Sequence, residues 1–253
     1  AERPYAPCQV TGSRDGSQNL TISWLRRTRL GGEWLDGTGT VPLSEASEAY
    51  EVDVLNGPPA VTRTYAASGG TASVIFDGNP STWTIIGASP SPRTAEVTFA
   101  TPQTVRQYGL RGAAGATSES PNAWTVEGWN GTAWELLDTR SGITGWAVNE
   151  LRKYSLAAPA TYARLRIAVT ALNGGSWWNI PELAFYATVG GPDIAAATYT
   201  QAVVRTIAVT APTATYSAAN QTTDFGAAQA EVFVRLQQIS ALVGRGLPAE
   251  ATL

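Results

Sequence analysis

Along most of the chain apolar and polar residues alternate with a period of two, and no long stretch shows a strong apolar period of about 3.6 residues. Turn-forming residues, 25 Gly and 15 Pro among 253, interrupt the alternation every ten residues or so. This pattern predicts an all-β protein. In Asn19–Arg29, NLTISWLRRTR, Leu20, Ile22 and Trp24 alternate with Thr21 and Ser23, as a half-buried strand requires, which makes Trp24 the expected core aromatic. In VPLSEASEAYEVDVL, Tyr50, Val52 and Val54 face one way and Glu51 and Asp53 the other. The closest approach to a helix, Ala227–Ile239, reads better as a strand through its VFVRL alternation.

One interruption organises the rest. The strand YEVDVLNG (Tyr50–Gly57) runs into a Gly-Pro-Pro break, and its natural antiparallel partner, AVVRTIAV (Ala202–Val209), comes some 145 residues later. Between them the composition shifts: seven of the nine tryptophans lie between Trp83 and Trp178. Residues 59–199 carry nine acidic and nine basic side chains, which leaves eleven acidic and eight basic in the remainder. The expectation is therefore a discontinuous domain, 1–58 plus 200–253, interrupted by an inserted domain, 59–199. An insertion of this size in a hairpin turn is tolerated because loop-closure entropy grows slowly with length. Within the insert, TAEVTFA, RQYGLRGA, AWTVEGWNG, AWELLDTR, LRKYSLA, YARLRIAVTA and ELAFYAT read as strands of a jelly-roll-like sandwich. WNGTAW reads as a tight hairpin in which Asn-Gly supplies positive φ angles.

Charge and composition narrow the function. The net charge is −3, and apart from RRTR at Arg26–Arg29, read as a charged strand edge, there is no basic cluster, which argues against nucleic-acid binding. No apolar run approaches the roughly 20 residues of a membrane-spanning helix, and no signal-peptide pattern opens the chain, so a soluble protein is expected. Cys8 stands alone, which excludes an internal disulfide and fits a small buried hydrophobe. Histidine is absent, which excludes a Ser-His-Asp triad and a His-ligated zinc site within the chain. Methionine is absent even at position 1, so the chain is expected to be a fragment or processed product of something longer.

LTISW followed by YEVDVL resembles the second and third strands of a fibronectin type III-like domain. AVVRTIAV, TATYSA, AEVFVRLQQIS and the closing VGRGLPAEATL would supply its remaining strands. More specifically, TISWLRRTRLGGEW, VPLSEASEAYEVDVL and ATYSAANQTTDFG with QQISALVGRG resemble the C-terminal part of the tail-tip hub, or host-specificity, protein of gene transfer agents and related tailed phages. That resemblance implies a place at the tail tip of a virion or phage-like particle, other tail-tip subunits as partners, and a homotrimer.

The insert resembles the discoidin, or coagulation-factor C-type, family, which includes many carbohydrate-binding modules. The carrying phrases are FDGNPSTW, NAWTVEGWNGTAWELL, YARLRIAV and IPELAFY, over about 66–187. The fold expected for the whole chain is thus a fibronectin type III-like sandwich interrupted by a discoidin-like jelly-roll sandwich. The same resemblance implies a calcium site on Asp77, Asn79, Thr82 and Glu182. Calcium favours six to eight hard oxygen ligands, and a turn exposes several carbonyls at once. The alternative is that Asp77 caps its own turn and Glu182 pairs with an arginine.

For ligand contact the strongest candidates are Trp177 and Trp178 in LNGGSWWNIPEL. Adjacent strand residues point to opposite faces, so both cannot enter one core, and an exposed indole suits the apolar face of a sugar. Asn173 and Asn179 flank the pair, and the resemblance adds Arg111, Trp146 and Asn149 at the same end. Packing of this loop on the outer module or on a neighbouring subunit explains the pair equally well. Trp83, Trp124 and Trp134 are expected in the core. Glu127, Glu135, Asp138 and Glu150 are scattered without a spacing that flanks one bond, so no catalysis is expected. The reading favoured is a non-enzymatic hub component whose insert binds a cell-surface polysaccharide. Structural decoration of the hub and the accessory sugar-binding region of a secreted glycosidase are the alternatives.

Overall fold

The structure, a computed structural model, describes residues 2–28, 43, 45–89 and 91–253. The predicted loop GGEWLDGTG lies outside the described residues. The chain divides into two compact units, 1–57 with 201–253, and 58–200. Strands dominate both, and the protein is all-β.

In the discontinuous unit, β1 (Cys8–Arg14) pairs with β2 (Leu20–Leu25), and β3 (Tyr50–Leu55) leads to the break. The inserted unit holds β4 (Arg63–Ala67), β5 (Thr84–Ile86), β6 (Arg93–Arg111), β7 (Pro121–Trp129), β8 (Trp134–Arg140), β9 (Leu151–Leu172), β10 (Trp178–Ile180) and β11 (Leu183–Tyr186). The chain returns as β12 (Val203–Val209), β13 (Thr213–Tyr216), a helix α1 (Ala218–Phe225), β14 (Phe233–Ser240), β15 (Gly244–Arg245) and β16 (Ala249–Thr252).

β12 pairs antiparallel with β3, from Val203 opposite Leu55 to Val209 opposite Tyr50, so the two sides of the interruption are one hairpin. β3 is central, with β14 on its other side. The second sheet is β1-β2-β13. Leu20, Ile22 and Trp24 from one sheet meet Tyr50, Val52, Val54, Val234 and Leu236 from the other, and Trp24 lies edge-on to Tyr50 at 5.1 Å. Burying such faces against each other is what holds a sandwich together.

Two details go beyond the sequence reading. Asp53, on the face opposite Tyr50, Val52 and Val54, is buried, where Thr206 Oγ1 donates to it at 2.6 Å, Gln237 Nε2 at 3.4 Å, and Arg245 lies 3.8 Å away. Beyond TATYSA the chain forms α1, capped by the Ser217 side chain at the Asn220 amide and closed by Gly226 at φ +81°. Its sequence, AANQTTDF, has only one large apolar residue and so no legible helical period.

The inserted unit is built on a sheet ordered β11-β6-β9-β7-β8, with β4 also on β6, and a separate two-stranded ribbon, β5-β10. The predicted pairs TAEVTFA/RQYGLRGA and LRKYSLA/YARLRIAVTA are each one long strand, β6 and β9. Register shifts near Thr98–Gln103 and Val105–Gln107 bend them, as a sheet wrapping round one core requires. In the WNGTAW turn only Gly131 has positive φ, and Asn130 instead accepts from the Thr132 and Ala133 amides through its side chain. No described helix is long and apolar enough to cross a membrane.

Candidate functional site

The ribbon settles the tryptophan pair. In β10, Trp178 opposes Ile86, Asn179 opposes Ile85, and Ile180 opposes Thr84. Alternation sends Trp178 inward, where it is fully buried, and leaves Trp177 outward at 53% exposure. Trp178 is therefore a core residue, not a ligand contact. Trp83 corrects the opposite expectation: one residue before β5, it faces outward with Ile85 and is 50% exposed, while Thr84 and Ile86 are buried. Trp124 is in the core as expected, with Nε1 donating to Tyr108 at 3.0 Å. Trp134 is only half-buried, on a face where the Arg166 guanidinium lies 4.0 Å from its ring.

The remaining predicted contact residues do a different job. Trp146 is buried, donates from Nε1 to the Pro121 carbonyl at 2.8 Å, and is covered by Arg152 at 4.3 Å. Asn173 donates to the carbonyls of Ser120, Pro121 and Ile143, all at 3.1 Å. Asn179 is buried, its Oδ1 accepting from the Ala114 amide at 3.2 Å. Arg111 donates to the Asn149 carbonyl at 2.8 Å, and Asn149, at φ +57°, donates through Nδ2 to the Pro80 carbonyl at 2.8 Å. These five side chains join the loops at one end of the unit through the bonds just given, while Arg111 Nε and Asn149 Oδ1 are buried without a partner. Arg93, not singled out in the sequence, adds a further brace: its Nε donates to the Gly87 carbonyl at 2.9 Å and its Nη2 to the Ser176 carbonyl at 2.8 Å. Trp177 is thus presented on a backbone fixed from both sides. It stands on an open face. Cavities of about 340 and 350 Å³ lie elsewhere, the first beside Leu136 and Pro159, the second beside Gly78 and Asp193.

Immediately before Trp83 lies the Asp77–Thr82 turn. Thr82 Oγ1 lies 2.6 Å from Asp77 Oδ2 and 2.8 Å from the Asn79 carbonyl, so three oxygens converge. Asp77 Oδ1 also caps the turn at the Asn79 amide, at 2.7 Å. Half of the alternative reading thus holds. The other half does not, because among the described residues no arginine forms an ion pair with Glu182, although the Arg111 charge is near enough to act on it. Its Oε1 accepts from the Gly78 amide at 3.3 Å and its Oε2 is buried without a partner. Burial pushes this carboxyl up to about 8, with smaller contributions from the neighbouring Asp193 and Asp77 charges. Asp193, whose Oδ2 is likewise unpartnered, is pushed up to about 7 by burial. Among the described residues no three His, Cys, Asp or Glu side chains cluster as a metal site, so a cation here would draw on the turn's carbonyl and hydroxyl besides two carboxylates. That donor set is the hard-oxygen kind calcium takes, and the orphaned Glu182 oxygen fits it.

The chain matches no protein-family model and no curated protein sequence. Solved carbohydrate-binding modules are similar to part of it. The family 32 module of AlyQ, in complex with 4,5-unsaturated mannuronic acid, is 21% identical over 51% of this chain and 96% of its own, with a TM-score of 0.40. The family 32 module of NanJ from Clostridium perfringens, in complex with galactose, is 15% identical over 53% of this chain and 98% of its own, with a TM-score of 0.41. A module of a family 31 glycoside hydrolase from the same organism is 16% identical over 52% and 96%, with a TM-score of 0.43.

Proposed function

We propose that the inserted unit binds a cell-surface polysaccharide without catalysis, and that the chain is a component of a phage-like tail-tip hub, acting in host attachment as a homotrimer with other tail-tip subunits. The observation that carries the binding reading is Trp177, half-exposed on a braced ribbon. A flat indole in water favours an apolar partner, and the CH face of a pyranose fits an immobile aromatic surface at little ordering cost. The hub reading rests on the phrases of the outer unit quoted above, which is read as fibronectin type III-like.

The inserted unit is further proposed to hold calcium on Asp77, the Asn79 carbonyl, Thr82 and Glu182. The ion would supply positive charge to two carboxylates and fix the turn that leads into Trp83. Glu182 would receive the charge it lacks, Asp77 and Thr82 would exchange their mutual hydrogen bond for the cation, and Asn149 would hold Pro80 in place.

A glycan array probed with the wild type and with Trp177→Ala tests the binding reading. Loss of signal in the variant with its fold intact is expected. A wild type silent on every glycan would instead favour structural decoration of the hub.

A further inference from the structure

Trp83 and Trp177 lie on the same face of the β5-β10 ribbon. Directly opposed residues of an antiparallel pair share a face, so Ile85 shares one with Asn179. Two residues on, in either strand, that face carries Trp83 and Trp177. Asn179 is covered by the loop at Ala114, but Trp83, Ile85 and Trp177 stay open, at 50%, 36% and 53% exposure. Continuing the register places Trp177 opposite Gly87, four residues along from Trp83, a separation of about 13 Å along the ribbon. The result is a strip with an indole at each end and an aliphatic side chain between.

The strip is rigid for identifiable reasons. Thr84 Oγ1 accepts from the Thr71 amide at 2.9 Å beneath the Trp83 end, and Arg93 ties Gly87 to Ser176 at the Trp177 end. Residues 115–118, which follow the covering loop, are exposed and include the hydroxyls of Thr117 and Ser118. Gly175 donates to the Ser118 carbonyl at 2.8 Å, so these hydroxyls sit beside the Trp177 loop. Glu119, next in sequence, packs its side chain against Gly175 of that loop and adds a carboxylate acceptor there. A lone pyranose covers one indole. Two indoles this far apart, joined by an apolar floor and bordered by hydroxyls, match a linear chain of linked sugars lying lengthwise.

We infer that Trp83 is a second sugar-stacking position, and that the ribbon takes an oligosaccharide chain running from Trp83 to Trp177 in preference to a single terminal sugar. This rests on the glycan-binding reading above and adds to it a residue and a ligand length.

The test uses the full chain and immobilised neutral β-linked gluco-oligosaccharides and N-acetylglucosamine oligosaccharides, each as a series from mono- to hexasaccharide, beside the glycan that the array selects, in the same lengths. Binding by the wild type should tighten about tenfold between the monosaccharide and the chain that spans both indoles, the gain of one added stacking contact. Trp83→Ala should remove that gain, so that its binding no longer tightens with chain length, Trp83→Phe should restore much of it, and Trp177→Ala should weaken every length. Unchanged melting of Trp83→Ala confirms that its fold persists, as its half-exposed side chain implies. Length-independent binding, or a Trp83→Ala variant that tightens with length like the wild type, overturns the inference and leaves Trp177 as a lone platform. A wild type that binds none of these glycans overturns both readings.

Discussion

Glu182 accepts from the Gly78 amide through Oε1 at 3.3 Å and buries Oε2 with no partner at all. A buried carboxylate in this state is unfavourable unless a proton or a cation joins it. Calcium should therefore raise the melting temperature of the wild type and chelator should lower it. Glu182→Gln, which removes the charge and keeps the shape, should abolish the calcium response and melt higher than chelated wild type. Calorimetry with and without chelator decides this, and indifference of the wild type to both would remove the calcium site.

The same carboxyls set a pH dependence. Glu182 moves from its ordinary 4.5 up to about 8, and Asp193 from 3.8 up to about 7, both through burial. Between the ordinary and the raised values the folded state binds more protons than the unfolded one, so stability falls as pH rises. The fall should begin near pH 4, continue to about pH 8, and have a slope of up to about 1.4 kcal/mol per pH unit for each group. Melting temperatures at pH 5 and pH 8.5 in chelator should differ accordingly, and calcium should reduce the difference. A flat profile in chelator would mean that neither carboxyl is held as the structure places it.

Why some of this was legible in sequence and some not comes down to what alternation can say. A period of two separates the two faces of a strand but does not say which face the protein covers. It therefore gave Trp24 and Trp124 as core residues, since each shares its face with an aliphatic residue two positions away, Ile22 and Val126, and has a hydroxyl side chain next to it, Ser23 and Thr125, yet misassigned Trp83, where Trp-Thr-Ile-Ile has apolar residues on both faces. It required Trp177 and Trp178 to part, but only the β5-β10 register says which one is buried. The hairpin of β3 and β12 was readable across the interruption because both halves alternate cleanly. Asn173 and Asn179, which flank the tryptophan pair, and Arg111 and Asn149, which the resemblance implies, have the same sequence signature whether they meet a sugar or brace a neighbouring backbone group. Arg93 left no signal, since its partners are backbone carbonyls, one in the loop just before it and one in a loop far along the chain.

Close packing at Gly128 gives a prediction independent of ligands. A Cβ placed there would lie 2.5 Å from the Tyr162 ring, whose hydroxyl is tied to Glu135. Gly128→Ala should cost about 1–3 kcal/mol by overpacking, and Tyr162→Ala in the same chain should recover part of it. Urea unfolding of the two single variants and the double variant measures the coupling. Simple additivity would contradict the contact.

In the outer unit, Asp53 is a buried acceptor for Thr206 and Gln237 within the central strand β3. Asp53→Ala strands both donors and should cost about 1–3 kcal/mol. Asp53→Asn, which keeps one carbonyl acceptor, should cost less. Urea midpoints should rank wild type, Asp53→Asn and Asp53→Ala in that order, and a tolerated alanine would show the Thr206 and Gln237 contacts to be dispensable.

The two adjacent tryptophans offer the sharpest contrast. Trp178 is fully buried against the inner face of the ribbon, so Trp178→Ala should destabilise by about 3–5 kcal/mol, the range for emptying a large aromatic site. Its Nε1 is buried without an acceptor, so Trp178→Phe gives up no hydrogen bond and should cost distinctly less than alanine. Trp177→Ala, removing a half-exposed ring, should stay within about 0.5 kcal/mol of the wild type, as surface substitutions do. Thermal melts of the three variants separate the roles before any ligand is added. Equal destabilisation by Trp177→Ala and Trp178→Ala would mean that Trp177 packs against protein, and the sugar-binding strip would lose its anchor at that end.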